Sequence, residues 1–369
     1  MLLKRKMCVA VVIAAILFLM LASQSIQRRH FLPLSLALPF SRATPTSRET
    51  VTKPTVSPAD LTQDRPVTPP PPMTTQPEAK EEPLEDSQSC GCTESCISDL
   101  GRSDWFSQRY DPKQQPILRD TNNNFDPDAL RWWLGLQRSG NGQTLEEVMS
   151  AMFQVIPPPT VDFKPLPSRC RSCAVVGNSG KLRRSGNGKL IDSHNSVIRM
   201  NKAVTRGFEK DVGNRTTHHF LYPESAVDIR HGVSLVLLPF KLRDLEWLTS
   251  ALSTGQIKMT YMRVKDRVEA DKDKVLVVNP VFFKYVNDRW TEHHGRYPST
   301  GMLAIIFALH TCDQVSVFGY GADEQGNWHH YWEENRYAGA FRKTGVHSAE
   351  FETQVIHQLA KAGKISLHL

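Results

Sequence analysis

The string CAVVGNSGKLRRSGNGKLID, residues 173 to 192, passes from an apolar run into glycines, small polar side chains and then bases. A strand that delivers such a turn can bring backbone amides against a phosphate, since glycine permits close approach, and Asn178 and Ser179 add neutral hydrogen-bonding groups. A Walker loop would need G-x-x-x-x-G-K-[ST], and a dinucleotide fingerprint G-x-G-x-x-G; here the spacing is G-x-x-G, with Asp192 too close to serve a ribose. Taken alone, the turn reads equally well as structural. Two other groupings suggest metal chemistry. Cys170 and Cys173 form a C-x-x-C, and Asp271 to Asp273 form a D-x-D. The cysteine pair lacks the partner spacing of a zinc finger, which leaves zinc as the second reading behind disulfides. The D-x-D precedes the apolar run VLVV, the wrong end of a strand for a ligand site, and reads as a solvated turn.

These residues need a scaffold. CAVVGN, VSLVLLPF, KVLVVNP and QVSVFGYG are short apolar runs bounded by turn residues, as strands buried on both faces of a parallel sheet are. RDLEWLTSALST and STGMLAIIFALHTC have helical spacing, the second with Ser299 or Thr300 as its N-cap. DALRWWLGLQ and TLEEVMSAMFQV read as helices ahead of the sheet. Alternating strands and helices predict an α/β fold: a single Rossmann-like domain with a mostly parallel twisted sheet flanked by helices. The glycine turn then lies at the carboxyl end of its strand.

The 369 residues divide unevenly. Met7 to Ala22 carries no charge, follows Lys4, Arg5 and Lys6, and reaches with Ser23 to Ile26 roughly the 20 residues a membrane-spanning helix needs. We read residues 1–6 as a cytoplasmic tail and 7–26 as a signal-anchor, the flanking bases keeping the N-terminus in the cytosol. A cleaved signal peptide is the competing reading. Residues 27–89, dense in Pro, Thr and Ser, are too poor in apolar side chains to form a core and read as a luminal stem. Residues 90–369 read as the globular luminal domain. It holds six of the seven cysteines, which an oxidising lumen would pair, in a pattern spacing does not reveal. The net charge of +7 is dispersed, with no basic run carrying interleaved aromatics, so no nucleic-acid partner is expected. Asn214-Arg215-Thr216 is a sequon for an N-glycan.

Residues 170–225 resemble the large sialylmotif of animal sialyltransferases, and residues 294–323 the small one. HYWE (330–333) and HSAEFE (347–352) resemble the two short motifs that follow. RWWLGLQ, STGQIKMTY and WTEHHGRYPSTG further resemble the β-galactoside α-2,3-sialyltransferases acting on Galβ1-3GalNAc, so the likeness covers about residues 90–369. It implies a glycosyltransferase A-like variant of the α/β fold, CMP-sialic acid as donor and galactose-terminated glycoproteins or glycolipids as acceptors. It implies His347 as general base and His330 as the phosphate stabiliser, two histidines that composition would not single out among 13. Donor contacts would come from Asn178, Ser179, Asn201, Ser299, Thr300, Gly301 and Gly321, and acceptor contacts from Gln137, Tyr261, Tyr297 and Trp328. Disulfides would join Cys90 to Cys96, Cys92 to Cys170 and Cys173 to Cys312. The same likeness implies a single-pass type II Golgi membrane protein, with a homodimer and a secreted form after stem cleavage compatible with it. The alternatives are a sialyltransferase of different acceptor or linkage preference, or a non-catalytic carbohydrate-binding relative. The missing dinucleotide pattern weakens an oxidoreductase reading.

No catalytic metal or other cofactor is expected, because a leaving monophosphate carries less charge than a diphosphate. Transfer activity is therefore predicted to survive EDTA; loss in the chelator, restored by Mn²⁺, would contradict this.

Overall fold

Seven strands form one sheet: β1 (Ser172–Val176), β2 (Ser196–Met200), β3 (His218–Leu221), β4 (Ser234–Leu237), β5 (Val275–Val277), β6 (Gln314–Phe318) and β7 (Ser366–His368). Their spatial order is β5-β4-β3-β2-β1-β6-β7, and every neighbouring pair is parallel. Parallel strands require crossover connections, and helices occupy most of them. Ahead of the sheet lie α1 (Asp104–Ser107), α2 (Pro127–Leu136) and α3 (Leu145–Val155). Between strands come α4 (Gly188–Ser193), α5 (Glu209–Val212), α6 (Leu242–Ala251), α7 (Pro280–Arg289), α8 (Thr300–Thr311) and α9 (Ala349–Lys361). The computed structural model describes residues 97, 103–120, 125–136, 142–161, 163, 170–323, 326–334 and 345–369. The expected tail, anchor and stem lie outside the described residues, as do Gln137 and the Cys90–Cys96 and Cys92–Cys170 pairings. Among the described residues no helix is long and apolar enough to cross a membrane.

Side chains alternate across the sheet, as the period of two requires. Val175, Ile198, Met200 and Phe220 face a core built with α7, α8 and α9, whereas Ala174, Val176 and Val197 face Ile191 of α4 and Val212 of α5. Leu221, Leu235 and Leu237 pack with α3 and α6. Helix α8 is apolar on all sides, with Met302 through Leu309 buried, because it lies under the sheet as a central layer. A capping box starts α3: the Thr144 hydroxyl accepts from the Glu147 amide at 3.2 Å while the Glu147 carboxylate accepts from the Thr144 amide at 2.9 Å.

Four strands coincide with the Val- and Leu-rich runs, and three do not. β2 contains Arg199, only 1% exposed, whose guanidinium donates to the carbonyls of Arg215 at 3.0 Å and Val212 at 2.6 Å. Strand β3 opens with two histidines, and β7 is a three-residue edge strand. These strands are specified by partners distant in sequence, which apolar patterning does not reveal.

Strand order reverses between β1 and β6, where a doubly wound sheet opens a ligand crevice at its carboxyl edge. The Cys173–Cys312 disulfide, across a sequence separation of 139, ties β1 to the C-cap of α8. Closing so long a loop in the unfolded chain corresponds to about 5 kcal/mol in the chain-entropy treatment. Replacing both cysteines by alanine should lower the unfolding free energy by up to about 5 kcal/mol, measured by urea denaturation; an unchanged midpoint and slope would refute a structural role.

Candidate active site

The loop after β1 is stitched to the loop after β6. Gly177 donates to the Phe318 carbonyl at 2.8 Å, Ser179 N–H to Gly319 at 3.0 Å, and the Ser179 hydroxyl to Gly321 at 2.7 Å. A Cβ at Gly177 would lie 2.3 Å from the Gly319 carbonyl oxygen, so only glycine permits this approach. Gly321 is required for a different reason: its φ of +87° is left-handed, while the space beside it is open to 3.8 Å.

Asn178 donates from Nδ2 to the Met200 carbonyl at 3.1 Å, which anchors the glycine loop to the end of β2. Asn201 follows β2 with a φ of 58°, held by its amide on the Phe220 carbonyl at 2.8 Å and by its own carbonyl, which accepts from His219 Nε2 at 2.6 Å. The Oδ1 atoms of both asparagines are buried and find no hydrogen-bond donor among the described residues. An orphaned buried acceptor costs about 1–3 kcal/mol. Two such atoms beside a switch-point crevice form an arrangement that a ligand N–H or O–H completes.

His330 reaches this loop from far along the chain. Tyr331 N–H donates to the Asn178 carbonyl at 3.1 Å and Gly180 N–H to the His329 carbonyl at 2.8 Å, so the His330 segment runs antiparallel against Ser179. Its Nδ1 pairs with the Glu333 carboxylate at 2.9 Å and its ring stacks on Trp332 at 4.5 Å. The hydrogen bond from His330 holds the Glu333 carboxyl below its ordinary range. Nδ1 therefore carries a proton, and Nε2 is the nitrogen left to meet a ligand. Trp328, half-buried, precedes His330 in the same segment.

The second histidine sits beyond the N-terminus of α8. His347 Nδ1–H donates to the Tyr297 carbonyl at 2.9 Å, and the ring stands edge-on to the Tyr297 ring at 5.1 Å. Arg296 N–H donates to Val346 at 2.8 Å and fixes the strand-like pairing that sets this geometry. Burial lowers the pKa of His347, opposed by the Tyr297 hydrogen bond. The shift favours the neutral imidazole, which with Nδ1–H on the Tyr297 carbonyl carries its lone pair on Nε2.

Ser299 caps α8, its hydroxyl accepting from Met302 N–H at 3.1 Å. Buried Glu352, on α9, accepts from the Ser299 amide at 2.8 Å and from the Ser299 hydroxyl. Ser299 is thereby committed within the protein, and Thr300 and Gly301 supply the amides that helix geometry leaves for an anion. The Tyr320 hydroxyl donates to the Gly301 carbonyl at 3.1 Å, linking the α8 N-terminus to the loop after β6. On the outer wall, Tyr261 is 67% exposed, with Lys241 Nζ 4.9 Å from its ring centre. It lies in a turn closed by Thr260 N–H on Met262 O at 3.0 Å.

Glu352 and Glu333 escaped the sequence reading as site residues, although both lie inside the short motifs HSAEFE and HYWE. Burial and partner, which decide their importance, are not visible in a string. Asp271 accepts from Gly232 N–H at 2.7 Å and Asp273 follows it in a turn before β5, at the amino edge of the sheet and away from this crevice. Among the described residues no group of three or more His, Cys, Asp or Glu side chains is placed to hold a metal ion. Asn214 is exposed in the turn before β3.

Open parallel sheets bind ligands in the crevice where their strand order reverses, and here the loops after β1 and β6 meet at that point. The class that fold and site define is an open α/β protein with a ligand crevice at its switch point. Residues 117–364 match the model described as glycosyltransferase family 29 (sialyltransferase). The chain is 56% identical over 281 residues to CMP-N-acetylneuraminate-beta-galactosamide-alpha-2,3-sialyltransferase 2 of Rattus norvegicus, across 76% of this chain and 80% of that relative. It is 50% identical to CMP-N-acetylneuraminate-beta-galactosamide-alpha-2,3-sialyltransferase 1 of Homo sapiens, across 75% and 82% of the two chains. The crystal structure of a mammalian sialyltransferase in complex with Gal-beta-1-3GalNAc-ortho-nitrophenol matches with a TM-score of 0.70 at 46% identity, over 76% of this chain and 98% of that one. The chain belongs to glycosyltransferase family 29, the sialyltransferases.

Burial raises the Glu352 carboxyl from 4.5 to about 7, against the opposing Ser299 hydrogen bonds. The folded state therefore keeps a proton that the unfolded chain loses, and this contribution is present below pH 4.5 and lost as pH rises through about 7. Glu352→Gln should remove it: wild-type melting temperature relative to the variant is expected to fall between pH 4.5 and 7, and a pH-independent difference would contradict the assignment.

Proposed function

We propose that this sialyltransferase moves sialic acid from CMP-sialic acid to the 3-hydroxyl of galactose in Galβ1-3GalNAc-type acceptors on glycoproteins or glycolipids, with inversion at the anomeric carbon. The observation that carries the mechanism is the His347 ring anchored through Nδ1 on the Tyr297 carbonyl. Its Nε2 takes the proton of the galactose hydroxyl as that oxygen bonds to the anomeric carbon. The bond from that carbon to the phosphate oxygen breaks, and CMP leaves with the electron pair. His330, anchored on Glu333 against the glycine loop, donates to the phosphate and offsets its growing charge.

The orphaned Oδ1 atoms of Asn178 and Asn201 accept from the cytidine amine or ribose hydroxyls. Ser179, Gly321 and the Thr300 and Gly301 amides complete the donor side, with Ser299 acting through its cap. Gln137, Tyr261, Tyr297 and Trp328 form the acceptor side. The names of the relatives and the disaccharide in the solved complex support this acceptor and linkage. We place the enzyme in the Golgi membrane through residues 7–26, the catalytic domain luminal on the 27–89 stem, with Asn214 as an accessible glycan acceptor.

The test is transfer to Galβ1-3GalNAc by the full-length enzyme, with the product challenged by a neuraminidase selective for α-2,3 linkages. His347→Ala should lower kcat by about 10²–10⁴-fold, the usual contribution of a positioned general base. Because burial lowers the His347 pKa from 6.5, the active neutral form persists below that value and the acid limb of kcat/KM should lie below pH 6.5. A limb above it, or near-normal turnover of the alanine variant, would remove His347 from the mechanism.

A further inference from the structure

A buried charge cluster occupies the carboxyl end of β4, next to the acceptor side of the crevice. Lys241, 4% exposed, pairs through Nζ with Asp244 Oδ1 at 2.7 Å and Glu224 Oε1 at 3.1 Å. The two carboxylate side chains are 0% and 4% exposed. Removing such charges from water is costly, and an apolar trio of similar volume would stabilise a fold at least as well. Burial pushes the Asp244 carboxyl up to about 7 despite the lysine beside it, which expresses the same cost. The contacts of the cluster indicate what it is for.

One set runs outward. Glu224 Oε1 also accepts from the Thr260 hydroxyl, and Lys241 Nζ lies over the Tyr261 ring at 4.9 Å. The turn carrying these residues presents Met259, Tyr261 and Met262 to solvent at 56%, 67% and 49% exposure, so its tip has little apolar anchorage of its own. The other set runs inward. Asp244 Oδ2 accepts from Phe240 N–H at 2.9 Å, and the Phe240 ring lies 5.0 Å from the Tyr297 ring. The Tyr297 carbonyl in turn holds Nδ1 of His347 at 2.9 Å.

We infer that Lys241, Glu224 and Asp244 are positioning residues that hold the Tyr261 turn and the Phe240–Tyr297 wall in register with His347, and so set acceptor affinity without touching the donor. This rests on the reading of Tyr261 and Tyr297 as the acceptor wall. The cluster lies on the β4 side of the crevice, whereas the glycine loop and His330 lie at β1 and β6. Its disturbance therefore separates the two substrates kinetically.

Thr260→Val removes the hydroxyl at a half-buried turn without changing side-chain shape, and Thr260→Ser retains it. In the full-length enzyme, Thr260→Val should raise the KM for a Galβ1-3GalNAc acceptor about tenfold, the size of a lost hydrogen bond to a charged group. The KM for CMP-sialic acid and the Kd for CMP should stay within about twofold, a change below 0.5 kcal/mol. Thr260→Ser should restore acceptor KM, and Lys241→Met should reproduce the valine effect. An unchanged acceptor KM in Thr260→Val overturns the inference, as do parallel rises in donor and acceptor KM. If the wild-type enzyme transfers to no Galβ1-3GalNAc acceptor, the functional reading fails instead. Normal wild-type transfer with an unaffected Thr260→Val variant defeats only the cluster.

Discussion

The hydrogen bonds that join the loop after β1 to the loop after β6 are the constraint on which the rest of this structure depends. Two strands adjacent in space but about 140 residues apart in sequence must end level, and Ser179 holds them there through its amide at 3.0 Å and its hydroxyl at 2.7 Å. Gly177 makes the approach possible, because any side chain there would meet a carbonyl oxygen. From this junction the site extends both ways. One branch runs through Gly180 and Tyr331 to the His330 segment, and the other through Tyr320 to Gly301 and the α8 N-terminus. The Cys173–Cys312 disulfide fixes the opposite end of this strand pair, at the amino end of β1. Backbone geometry and glycine act at one end of the pair and a covalent tie at the other.

The two histidines are differentiated by environment rather than by type. His330 has a carboxylate partner on Nδ1 and an aromatic stacking partner, a setting that fixes the ring and leaves Nε2 to meet a ligand. His347 has a backbone carbonyl and a buried surround, a setting that favours the neutral ring. Within the proposed mechanism this difference assigns them opposite tasks, one meeting a developing anion and the other accepting a proton. Glu352 adds a buried carboxyl and uses it for position, holding the Ser299 cap and joining α9 to α8.

Local patterning carried much of the scaffold. The VSLVLLPF, KVLVVNP and QVSVFGYG runs became β4, β5 and β6, and Ser299 capped α8 as its place ahead of an apolar run implied. Patterning failed where a strand's polar residues are satisfied from afar, as at Arg199 in β2 and the histidines of β3. At the site, Asn178 and Ser179 stood out because their loop has an unusual local composition. His330, His347 and the asparagine after β2 stood out only through motif resemblance. Lys241, Glu224 and Asp244 carried no signal, since a lysine and two acids at these spacings look like solvated surface.

By itself, then, the sequence determined the α/β alternation, the glycine turn at a strand's carboxyl end and, through its four motifs, the family. Those features are local, written in periodicity, capping and short strings that do not depend on what lies opposite. Only the tertiary structure decided that Oδ1 of Asn178 and of Asn201 would both find no donor among the described residues, that burial would lower the pKa of His347 while His330 paired with Glu333, and that Lys241, Glu224 and Asp244 would be buried together. Hydrogen-bond satisfaction, desolvation and Coulomb interaction are properties of neighbours in space, and a parallel sheet with a reversal in its strand order makes those neighbours from residues far apart in the chain.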